Sequence, residues 1–157
     1  MDSNFVRAAC LVAGASLFAG LPSRVAAQDA NRDAVVTVAT VGEVVDRLAK
    51  RTGDFKSSFN REIEKSVIDG SKLEDRVKRR ADDLHDDAQK LKDEFHDKKD
   101  KNNPKVREKV DRTLASGADI NRIMVEHRFT DKLQREWATL RADLNGLADV
   151  YNLSPLQ

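Results

Sequence analysis

Two short runs in the middle of the chain carry the residue types best suited to metal or proton chemistry. Asp82-Asp83-Leu84-His85-Asp86 returns eleven residues later as Asp93-Glu94-Phe95-His96-Asp97. A carboxylate three residues before a histidine shares a helix face with it. Asp82 with His85, and Asp93 with His96, are therefore candidate divalent-metal ligands. Di-iron bundles take Glu-x-x-His from two different helices and add two further Glu. Here both copies fall on one helix, about 16 Å apart at 1.5 Å per residue, so they cannot share an ion. Each copy alone offers only an open, weak site. The competing reading is a solvated acidic face whose histidines flank the core positions Leu84 and Phe95, and an eleven-residue period also fits plain helical packing. That reading is preferred: no metal is assigned, and Asp82, His85, Asp93 and His96 stand as the candidates to follow.

Other chemistry has less support. A b-type haem needs ligands facing each other, but Met124 and His127 lie three apart on one helix, and so no cofactor is assigned. His127 is expected at the carbonyls that end its helix. Lys78-Arg79-Arg80 and Lys98-Lys99-Asp100-Lys101 could touch an anionic surface, although flanking acids favour ordinary helix-surface charge. Trp137, Arg141 and Asn145 follow one another at i,i+4 and could line a groove. An aromatic at helical spacing more often belongs to the core, with Arg141 over its edge and Asp143 in an interhelical ion pair. There is no Ser beside a paired His, no Gly-rich phosphate loop and no HExxH. The expectation is that the protein is not an enzyme.

The start of the chain speaks to location. Arg7, an uncharged run of 14 residues from Ala8 to Leu21, and the small site Val25-Ala26-Ala27 have the layout of a secretory signal peptide. A spanning helix needs about 20 apolar residues. Residues 1–27 are accordingly expected to be cleaved after Ala27, giving a periplasmic or secreted protein with no transmembrane segment in the mature chain. Cys10 precedes the apolar run, where lipid-modified proteins do not carry their cysteine, and it would leave with the signal. The mature chain would then have no disulfide or thiolate chemistry. Removing Asp2, Arg7 and Arg24 from 27 acidic and 28 basic residues leaves 26 of each in 130 residues. A nucleic-acid binder needs a basic excess to displace counterions from phosphates, so nucleic acid is excluded as a partner.

The elements that position these residues follow from spacing. Residues 28–40 lack a helical stripe, and Val35-Val36-Thr37-Val38 favours extended backbone, so they read as a flexible leader that joins the first helix late. From residue 41 the apolar steps become threes and fours, which only a helix keeps on one face. The first stripe is Val41, Val44/Val45, Leu48, Thr52, Phe55, Phe59, Ile63 and Val67, ending at Asp69-Gly70. Gly53 within it marks a kink or a close helix contact. Ser71 with Glu74 forms a capping box before Leu73, Val77, Ala81, Leu84, Ala88, Leu91 and Phe95. Asn103-Pro104 opens a third helix with Val106, Val110, Leu114, Gly117/Ala118, Ile120/Asn121 and Met124. Its small residues Ala115-Ser116-Gly117-Ala118 invite a close neighbour. Thr130 caps a fourth, with Leu133, Trp137, Leu140, Leu144, Leu147 and Tyr151, and residues 152–157 are a tail. Short connections make neighbouring helices antiparallel. The predicted fold is all-α, an antiparallel up-down four-helix bundle over residues 41–151. A looser coiled coil completed by dimerisation is the alternative, so the state is monomer or homodimer.

The last stripe also carries a resemblance. Trp137, Leu140, Arg141, Asp143, Leu144, Asn145, Leu147, Ala148 and Tyr151 match an ending W-x-x-[LV]-R-x-D-L-N-x-L-A-x-x-Y. In this the chain resembles uncharacterised exported helical proteins of acidobacterial type, and residues 63–75 with their Asp-Gly turn look like theirs. The resemblance implies a signal peptide followed by a helical domain, and no ligand or catalytic residue. The functional expectation is an exported bundle that binds, or forms a structural part of, the cell envelope, with a protein or an envelope surface as its partner. Two alternatives are an envelope chaperone or stress-adaptor presenting an apolar groove, and a weak divalent-metal-binding or sensing protein.

Overall fold

The computed structural model describes residues 25–65 and 72–157, with backbone alone for residues 25–39. It is all-helical there: α1 Val25–Ile63, α2 Lys72–Lys98, α3 Pro104–Glu126 and α4 Asp131–Val150. Each helix packs against two others, α1 on α2 and α4, and α3 on α2 and α4. One core therefore runs between all four.

The stripes face that core. Val41, Val45, Leu48, Phe55, Phe59 and Ile63 of α1 are buried, as are Val77, Ala81, Leu84, Ala88, Leu91 and Phe95 of α2. From α3 come Val106, Val110, Leu114, Ile120 and Met124, and from α4 Leu133, Trp137, Leu140, Leu144 and Leu147, with Tyr151 just beyond its end. Burying one such side chain contributes about 1.5–3 kcal/mol, so the stripes dominate the stability. Phe55, Phe59, Phe129 and Trp137 form an aromatic chain along the α1/α4 seam, with ring centroids 5.4–5.5 Å apart. Offset rings at that spacing add attraction beyond the area they bury.

The helix ends have local causes. The Asn103 side chain accepts from the Lys105 N–H, and Pro104 begins α3, where a missing donor costs nothing. The Thr130 hydroxyl accepts from the Leu133 N–H at the start of α4. Helix α2 stops at Lys99, whose φ is 50° and whose N–H donates to the Phe95 carbonyl. The predicted capping box at Ser71, the Asp69-Gly70 stop, Val67 and residues 1–24 of the expected signal peptide lie outside the described residues.

Helix α1 begins earlier than its stripe predicts. Its backbone is helical from Val25, through residues 28–40, which the sequence reads as an irregular leader. Ala26, Ala27, Ala30 and Ala34 are the best helix formers, and no Gly or Pro lies between residues 25 and 41. The β-branched residues 35–38 each cost only a few tenths of a kcal/mol in a helix. They have no partner strand, so extension of α1 wins.

The segment after α4 is also more than a loose tail. Asn152 takes a left-handed φ of 53°. Its N–H donates to the Asp149 carbonyl, and the Leu153 N–H donates to Ala148. This is the paired 6→1 and 5→2 bonding that ends many helices, with Asn where Gly is commoner. It turns the chain back so that Leu153 and Leu156 pack on the core beside α3 and α4. The α3/α4 seam is the sparsest of the four helix seams, and this segment fills it.

Candidate functional site

The four candidate metal ligands do not converge. Asp82 pairs with Lys56 of α1 at 2.8 Å. Thr52, fully buried on α1, donates its hydroxyl to the Ala49 carbonyl at 2.9 Å, and His85 Nδ1 lies 3.2 Å from the Thr52 hydroxyl oxygen. Because the Thr52 proton is already committed, His85 Nδ1 is the donor in this contact. His96 Nε2 donates to Asp46 Oδ1 of α1 at 2.8 Å, and Lys92 reaches that oxygen at 3.5 Å. Together they hold the Asp46 carboxyl below the usual carboxylate range, the His96 hydrogen bond having the largest effect. Asp93 is exposed on the outer face of α2. Among the described residues no three His, Cys, Asp or Glu side chains gather as a metal site.

The histidines of the echo thus act as α1/α2 ties, a role that intrahelical spacing does not display. At one tie the helices come close at Gly53, where a Cβ would sit 3.2 Å from His85 Cε1. The expected kink or close contact at Gly53 is the close contact. His127 meets the end of α3 through its backbone, N–H to the Ile123 carbonyl at 3.1 Å. Its ring lies edge-on to Phe129 instead.

A carboxylate shared by two arginines joins α1 to α4. Asp143 is 8% exposed and accepts from Arg47 Nε at 3.0 Å and Arg51 Nη1 at 2.5 Å. The sequence places Asp143 in an interhelical ion pair but leaves its partners open. Arg47 and Arg51 stand four apart, each directly before a core residue (Leu48, Thr52), and that spacing was the available signal. Trp137 is core, as expected, and its Nε1–H donates to Asn121 Oδ1 at 3.1 Å. Asn145 is not part of a groove beside Trp137. It binds the backbone of Leu156, accepting from its N–H at 2.7 Å and donating to its carbonyl at 3.3 Å.

Two clefts lie along the α1/α4 seam and share Glu136. One, of about 320 Å³, is lined by Arg61, Glu62, Lys65, Thr130, Lys132 and Glu136. Glu62 accepts from both the backbone N–H and the hydroxyl of Thr130 at 3.0 Å, so α1 helps cap α4. The other, of about 300 Å³, is lined by Arg51, Asp54, Phe55, Glu136 and Thr139. Both signs of charge line the seam, which suits contact with a polar surface. The basic runs are partly neutralised by neighbours. Lys78 meets Glu74 at 2.6 Å and Glu64 at 3.3 Å, which raises its pKa, Glu74 first. Arg80 reaches Asp83 and Asp119, and Lys98 meets Asp97 at 2.5 Å.

No family model, curated protein or solved structure matches the chain. No helix among the described residues is long and apolar enough to cross a membrane.

Proposed function

We propose that the protein is an exported, antiparallel up-down four-helix bundle that acts by binding, or as a structural part, in the cell envelope and not by catalysis. One observation carries this reading. Three of the four candidate ligands are engaged in ties between helices (Asp46 with His96, Thr52 with His85, Lys56 with Asp82), and a further tie joins Asp143 to Arg47 and Arg51. Such ties fix the frame and leave the outer surface to meet a partner.

The alternating direction of the helices is supported by the order of these contacts. Rising positions 46 and 56 on α1, and 64 just past its end, meet falling positions 96, 82 and 78 on α2. Rising positions 47, 55 and 62 likewise meet 143, 137 and 130 of α4 and its cap. Export is supported by the basic, apolar and small-residue layout of residues 1–27 and by the resemblance of the Trp137–Tyr151 motif to exported helical proteins of acidobacterial type. The partner is a protein or an envelope surface, and the mixed-charge α1/α4 seam is its landing place.

The test combines fractionation with site-specific crosslinking in whole cells. The protein is expected outside the cytosol with Gln28 as its first residue. A photo-crosslinker at Glu136 is expected to attach it to an envelope component. Cytosolic protein with Met1 intact overturns the location, and the absence of adducts along the α1/α4 seam overturns the binding surface.

A further inference from the structure

The segment after α4 is held as a bound peptide is held. Asn145 clasps both polar groups of the Leu156 backbone. Asn121 donates its side-chain amide to the Gln157 carbonyl. Arg107 donates to the Tyr151 carbonyl at 3.3 Å, where the segment begins. A side-chain amide that donates and accepts at one residue reads an extended backbone whatever the side chain is, and specificity then comes from the pockets between. Here Leu153 and Leu156, three apart, are the half-buried anchors, while Ser154 and Pro155 between them are exposed.

The seat for Leu156 is built on α3. A Cβ on Gly117 would lie 3.2 Å from Leu156 Cδ1 and 2.9 Å from Leu144 Cδ1. Gly117 is therefore the floor on which one leucine of α4 and one of the following segment both rest. Pro155 biases Ser154 towards extended backbone, which presents Leu156 to Asn145. The hold is local and small: one clasp, one amide to carbonyl bond and two half-buried leucines, hinged at the left-handed Asn152.

We propose that the α3/α4 groove is a binding site for an extended peptide segment of a partner protein with leucines three apart, and that residues 153–157 occupy it in cis as an exchangeable plug. The partner's segment has the chemistry seated there now, Leu-x-x-Leu with an open backbone between. Residues 153–157 are tethered, and a short tether acts at an effective concentration of about a millimolar. A partner peptide must compete with that. Binding is regulated by release of the plug, and the site lies on a different face from the α1/α4 seam.

The test uses the full chain and a fluorescent peptide of the sequence Asn152–Gln157. Leu156→Asp spoils the plug and leaves the groove whole. The peptide is expected to bind Leu156→Asp at least tenfold more tightly than wild type, and binding should vanish in Asn145→Ala/Leu156→Asp. A peptide with both leucines changed to serine should not bind. No binding to a Leu156→Asp protein of normal helicity, or equal binding with Asn145→Ala, overturns the proposal. If Leu156→Asp does not fold, wild type decides. Trp137 is the single tryptophan and is linked through Asn121 to Gln157. Millimolar unlabelled peptide that shifts its emission in wild type but not in Asn145→Ala supports the groove, and no shift overturns it. Dimerisation of wild type that disappears in Leu156→Asp would make a second copy the occupant and overturn the assignment to a partner.

Discussion

Replacing Asp143 by Ala removes the one carboxylate that two arginines of α1 share. The side chain is nearly buried, and its contacts are 3.0 Å to Arg47 and 2.5 Å to Arg51. A hydrogen bond to a charged group contributes about 1.5–3 kcal/mol when buried. Breaking a buried pair can cost 3–5 kcal/mol, because the abandoned charge stays dry. The arginine side chains are 43% and 39% exposed, however, and would regain water once freed. That discount brings the loss for Asp143→Ala to about 2 kcal/mol. For a domain of this size the midpoint of thermal unfolding should fall by roughly 5–10 °C. Arg47→Ala and Arg51→Ala should each cost less, since the nearly buried Asp143 keeps its other arginine. A double-mutant cycle between Arg51 and Asp143, read by thermal melts followed by circular dichroism, isolates the pair. A coupling of about 1 kcal/mol is expected. A midpoint for Asp143→Ala within about 2 °C of wild type, or no coupling in the cycle, would refute the claim that this triad joins α1 to α4.

Further outcomes follow from the same geometry. Leu144 is fully buried, so Leu144→Asp should leave the chain unfolded at room temperature, by the several kcal/mol needed to bury an unpaired charge; a melt near that of wild type would contradict its placement. Tyr151 is the single tyrosine, and burial first, with Asp100 adding and Arg107 opposing, pushes its phenol up to about 12. Ultraviolet titration should show that late ionisation, and stability should be lost as pH rises from the ordinary 10 towards the folded value. Its hydroxyl is buried without a hydrogen-bond partner among the described residues, so Tyr151→Phe should be neutral or stabilising by up to about 1 kcal/mol. Asp46 has its carboxyl lowered by His96 and Lys92, so its contribution is present above the unfolded pKa near 4 and disappears as pH falls through the lower folded value; Asp46→Asn should flatten the acid limb of the stability profile. Zinc titration of wild type and of His85→Ala/His96→Ala should give the same profile, and a tight site present only in wild type would restore the metal reading.

The core was legible because burial and helical period are the same information. A helix can bury only one stripe, and the threes and fours of Leu84, Leu91 and Phe95, or of Leu133, Trp137, Leu140 and Leu144, mark it. Ala49, Thr113 and Ala148 were missed although they are buried. They are small or polar residues at the stripe's edge, where burial depends on how near the next helix comes. The caps at Asn103 and Thr130 were legible because the groups they satisfy lie within the same turn. The start of α1 was not, since a run of valines leaves extended and helical backbone close in energy until the neighbours are known.

The candidate site shows the same division. The sequence alone determined that the chain from residue 41 is built of helices, which of their faces turn inward, and that His85 and His96 stand beside core positions. Those properties depend on residues within one or two turns of each other. Only the tertiary structure decided what the histidines touch, which arginines hold Asp143, and that Asn145 clasps Leu156. Their partners lie 33, 50, 96, 92 and 11 positions away. A polar side chain on a helix surface can reach many such groups, and packing of the apolar stripes selects among them by setting the angle and depth at which the helices meet.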